Sequence, residues 1–116
     1  MNKQGRYKLR GVLMLLFALG NMENNDDVVE KLETKLDDLT DVLNAEQQHY
    51  DNLPDIMMWT TLADSLVDNT NCLKEAQKAM ANIVDAYTTS DRTPYAEVKD
   101  DIASVIRNVT DVIDNR

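Results

Sequence analysis

The apolar positions divide the chain into helical pieces. Val29, Leu32, Leu36, Leu39, Leu43, Glu46, Tyr50 and Leu53 follow at steps of three and four, and so do Trp59, Leu62, Leu66, Asn69, Leu73, Ala76, Met80, Ile83 and Tyr87. A period near 3.5 held this long predicts two helices, each with an apolar seam. Between them stands Asp51-Asn52-Leu53-Pro54-Asp55. Pro54 lacks the N–H a helix interior needs and disfavours helical geometry at Leu53, so the chain is expected to turn back here. Three large apolar groups meet where the seams end. The expected hairpin tip therefore packs Tyr50, Leu53 and Trp59 beside Pro54, and Trp59→Ala would then cost roughly 3–5 kcal/mol.

The flanks of the second seam are small: Ala63, Ser65, Thr70, Cys72, Ala79, Val84 and Ala86. A two-stranded coiled coil prefers charge at such positions, whereas small flanks widen the apolar face and admit further helices. Cys72 is read with this set, as a small buried thiol. The next piece runs from Pro94, with Thr93 as expected N-cap, and carries Tyr95, Val98, Ile102, Val105, Val109 and Val112 at helical steps. At the other end, Gly20 closes an apolar segment. Asn25 or Asp26 caps the helix that follows, and Asp26, Asp27 and Glu30 suit its first turn. The fold class is all-α: a long antiparallel helical hairpin with N- and C-terminal helices, making a three- to four-helix bundle. Residues 1–116 form one domain, with helices over 3–20, 26–52, 57–88 and 94–114.

The N-terminal segment has two readings. Its basic start and the run from Val12 to Leu19 have the look of a secretory signal peptide, but the run is too short for a membrane span of about twenty residues. The preferred reading is a short helix buried nearly all round, with Val12, Leu13, Leu15, Leu16 and Leu19 joining copies into a homo-oligomer. A signal or membrane anchor at residues 1–20 is the second.

Charge narrows the partners. The net charge is −9, yet Lys3, Arg6, Lys8 and Arg10 make the first twenty residues +4, which leaves −13 on the rest. That balance argues against direct nucleic-acid binding and against anionic membrane, and favours basic partners. Asp37, Asp38, Asp41, Asp64 and Asp68, outside the two seams, are the candidate partner-binding residues. In the sharpest version the acidic surface imitates nucleic acid and occupies a nucleic-acid-binding enzyme. Magnitude weighs against that version, because a duplex about 40 Å long carries on the order of 24 charges.

Ala45-Glu46-Gln47-Gln48-His49-Tyr50-Asp51-Asn52-Leu53-Pro54-Asp55, after a Lys/Arg-rich start and before a long helix, resembles a group of small phage-encoded helical proteins. These carry a Glu-Glu-Gln, aromatic, Asp-Asn-hydrophobic-Pro-Glu pattern at the tip of a helical hairpin. Glu46, Gln47, Tyr50, Asp51, Asn52, Leu53 and Pro54 match, and Asp55 replaces the usual Glu. Ile56-Met57-Met58-Trp59 replaces the polar stretch that usually follows the proline. The resemblance implies a phage origin and a cytoplasmic setting, the host cell's, and brings no assigned activity.

No catalytic residues, cofactor or metal site are expected. One cysteine excludes an internal disulfide. Glu46 and His49 have the Glu-x-x-His spacing of dimetal carboxylate bundles, but such a site needs that pair twice and this chain has one histidine. Glu46 and His49 are instead read as hydrated near the tip or bonded to the turn. Asn69, a polar residue on the second seam, is read as fixing register, roughly opposite Leu43 and one layer from Glu46. Three classes of function remain. The first is a non-catalytic binding protein that inhibits or redirects a partner protein, with counter-defence as its phage version. The others are a self-assembling structural protein and a membrane-anchored accessory protein using residues 12–19.

Overall fold

The computed structural model describes residues 2–115. Four α-helices make up most of it: α1 (Lys3–Ala18), α2 (Asp26–Asp51), α3 (Thr61–Thr89) and α4 (Lys99–Asp114). Short 3-10 turns occupy Leu19–Asn21, Asp55–Met57 and Tyr95–Val98, and there is no strand among the described residues. The all-α expectation holds, and α2 and α3 are the expected hairpin. At 1.5 Å per residue they rise about 39 and 43 Å, which sets the long axis of a body measuring 53 × 21 × 20 Å.

Each helix packs mainly on two neighbours, in the order α1–α2–α3–α4 and back to α1. Successive helices are antiparallel. Lys8 reaches Asp41 and Gly11 lies against Lys35 between α1 and α2. Gln77 bonds Thr40 at 2.9 Å, and further along Asn69 bonds Glu46. Between α3 and α4, Asn82 faces Asp101 and Asn69 bonds Asn115. This is an up-down-up-down four-helix bundle. Its core takes Leu9, Val12, Leu16 and Leu19 from the N-terminal segment, Leu32 and Leu39 from α2, Leu73, Met80, Ile83 and Tyr87 from α3, and Val105, Val109 and Val112 from α4.

The ends of the elements follow their caps. Asn25 accepts from the Val28 N–H at 3.0 Å, as its position predicts. The second hairpin helix begins later than residue 57, because Met57 and Met58 close a 3-10 turn and the Thr60 hydroxyl accepts from the Ala63 N–H. Thr93 does not cap α4. Its hydroxyl accepts from the Asn24 N–H at 3.2 Å, Pro94 opens a 3-10 turn, and α-helix starts only at Lys99. Gly20 lies within a 3-10 turn at negative φ. Its lack of a side chain serves a close approach instead: a Cβ there would stand 3.1 Å from the Tyr95 ring.

Within one chain, α1 is buried on one side and not all round. Val12, Leu16 and Leu19 lie in the chain's own core, and Leu13 and Leu15 pack partly against it. All five residues expected to join copies are thus used within one chain. The opposite side of α1 carries Tyr7, Met14 and Phe17 in the open. Val12 to Leu19 is uniformly apolar in sequence, yet two helical neighbours cover only one side of it.

Candidate binding surface

The tip of the hairpin stands beyond the four-helix body. The start of α1, at Asn2 to Gly5, faces Ala45, Glu46 and His49. The end of α4 is held where Asn115 donates to the Asn69 side chain at 2.8 Å. Neither outer helix reaches residues 52–60, so the two seams there have no third or fourth helix to close over them.

That difference decides Trp59. Its side chain is 93% exposed, and Ile56 is 83% exposed. The expected packing of Trp59 with Tyr50 and Leu53 is wrong: Tyr50 and Leu53 are half-buried, Pro54 is exposed, and the indole points to water. The backbone that carries it is braced by local hydrogen bonds. Leu53 N donates to Tyr50 O, Met57 N to Pro54 O at 2.8 Å, Met58 N to Asp55 O and Thr60 N to Met57 O. The Thr60 hydroxyl also donates to Met57 O at 2.6 Å. Such a turn limits the backbone entropy lost on binding. Leu62 on the first turn of α3 is also exposed, and so are Asp51, Asp55 and Asp64, which put negative charge on both sides of Trp59 along the chain.

The five aspartates singled out from the sequence do not form one patch. Asp41 faces α1, where Lys8 Nζ lies 3.3 Å from its Oδ2, and Asp38 pairs with Lys35 at 3.5 Å. Asp37 is exposed on the same helix. The register from Glu46–Asn69 to Thr40–Gln77 places Asp41 level with about residue 75, some 10 Å along the axis from Asp68 at 1.5 Å per residue. Asp68 belongs to a different groove, between α3 and α4, which it shares with Asp111, Asp114 and Cys72. Asp64 lies near the tip.

The groove between α3 and α4 also settles the character of Cys72, which is half-buried. Burial first, then the charges of Asp111 and Asp68, pushes its thiol up from the ordinary value. A raised pKa keeps the thiol protonated and poorly nucleophilic. Glu46 is buried at 4% exposure, and its Oε2 accepts from Asn69 Nδ2 at 3.1 Å. Its expected place in water at the tip is thus replaced by burial in the interface of α2 and α3, while His49 on the same helix is exposed. No group of three or more His, Cys, Asp or Glu among the described residues is placed to hold a metal ion. Among the described residues no helix is long and apolar enough to cross a membrane. Comparison with known proteins gave no match, whether to a family model, a curated protein or a solved structure.

Sequence reasoning missed two polar residues. Asn24 Nδ2 donates to the carbonyls of Tyr87, Ser90 and Arg92 at 3.0–3.1 Å, tying the loop before α2 to the loop after α3. Asn115 ties the end of α4 to Asn69. Both make contacts 46 to 68 residues apart in sequence, for which no local pattern exists.

Proposed function

We propose that this chain is a non-catalytic binding protein that engages a partner protein through the hairpin tip. Ile56 and Trp59 enter an apolar pocket, and Asp51, Asp55 and Asp64 meet cationic side chains on its rim. The wider acidic surface, Asp37, Asp38, Asp41 and Asp68 included, steers the encounter and does not form the contact. The partner is therefore an apolar pocket with a basic edge, and occupying it inhibits or redirects whatever that pocket normally receives.

The observation that carries this reading is the exposure of Trp59 on a turn braced by local backbone hydrogen bonds. Tryptophan is enriched at binding hot spots, where an aromatic anchor is ringed by contacts that exclude water. Burying its roughly 200 Å² gains on the order of 5 kcal/mol before the costs of association. The three aspartates distinguish a protein from a lipid surface, since anionic headgroups would repel them.

The test is photo-crosslinking from position 59 in a lysate of the source cell, followed by binding of the captured protein to purified variants. Trp59→Ala should keep the fold and lose at least about 30-fold in affinity, the equivalent of a hot spot of 2 kcal/mol. Asp51, Asp55 and Asp64 changed together to Asn should weaken binding and flatten its salt dependence. Undiminished binding by Trp59→Ala overturns the proposal, as does partition of the tip into vesicles with no protein captured.

A further inference from the structure

We draw no further inference here: the strongest candidate, the exposed stripe of Tyr7, Met14 and Phe17 with Lys3 and Arg10 on the outer face of α1, carries nothing because nothing in the structure shows what covers it.

Discussion

Asn69 Nδ2 donates to Glu46 Oε2 at 3.1 Å across the interface of α2 and α3, with both side chains buried. Asn69 Oδ1 in turn accepts from Asn115 Nδ2. One amide therefore locks the register of the hairpin and fastens the end of α4 to it. A slip of either helix by one turn would carry the carboxylate about 5 Å from its donor, into apolar surroundings. Such a contact specifies which pairing forms more than it adds to total stability.

Replacing Asn69 by Leu tests that role. The change withdraws a donor from a buried carboxylate and an acceptor from Asn115, so a loss of about 1–3 kcal/mol is expected by urea unfolding. Glu46→Gln keeps an acceptor oxygen for Asn69 and should cost less. Equal losses in both variants would mean that the side chains only fill space.

Trp59→Ala should leave stability within about 0.5 kcal/mol of wild type, as expected for a surface position. Trp59 is the chain's one tryptophan, so fluorescence reads it without ambiguity. Emission of the folded protein should already be that of a hydrated indole, readily quenched by acrylamide and little changed on unfolding. A loss near 3 kcal/mol would place the ring in a core after all.

Tyr87 is fully buried, and its hydroxyl has no hydrogen-bond partner among the described residues. An unsatisfied buried hydroxyl costs about 1–3 kcal/mol. Tyr87→Phe keeps the ring and removes that cost, so the variant should be at least as stable as wild type, by up to about 1 kcal/mol. A clear loss in thermal unfolding would reveal a partner for the oxygen.

Asn24→Ala removes a donor shared by three carbonyls that would otherwise compete for water at the loop between α3 and α4. The expected loss is about 1–2 kcal/mol. Hydrogen exchange should quicken first around residues 88–93. Unchanged exchange there would show that the loop is held by its own turns.

Alkaline pH should destabilise the fold through Cys72. Burial and the nearby Asp111 and Asp68 raise the folded-state pKa above the ordinary 9.0. As pH climbs past that value the unfolded chain loses its proton first and binds fewer protons than the native state. Unfolding free energy therefore falls with rising pH, while below this window the thiol is neutral in both states and contributes no slope. Cys72→Ser should flatten this part of the profile measured by denaturant unfolding. Tyr87, raised by burial and by Tyr95, adds a slope of the same sign above pH 10.0 that survives the substitution. A slope in Cys72→Ser identical to wild type above pH 9 would remove the thiol from the account.

Helix was legible in the sequence because period is a local property. Steps of three and four fixed most of the residues of α2, α3 and α4 that face inward, although Leu62 on the α3 seam is exposed and Val28 and Val42, off the α2 seam, are buried. Pro54 marked the reversal, and Asn25 or Asp26 the start of α2. Asn69 could be recognised as a polar residue on a seam from the same pattern. The tertiary structure decided the rest, because side-chain burial depends on which helices lie alongside and how far they extend. The outer helices end near Gly5 and Asn115, so Trp59 stays in water although it continues the α3 seam. The bundle closes with α1 touching two neighbours, so Val12, Leu16 and Leu19 are core while Met14 and Phe17, equally apolar, remain outside. Asn24 and Asn115 act across the whole fold, and contacts that distant leave no spacing to read along the chain.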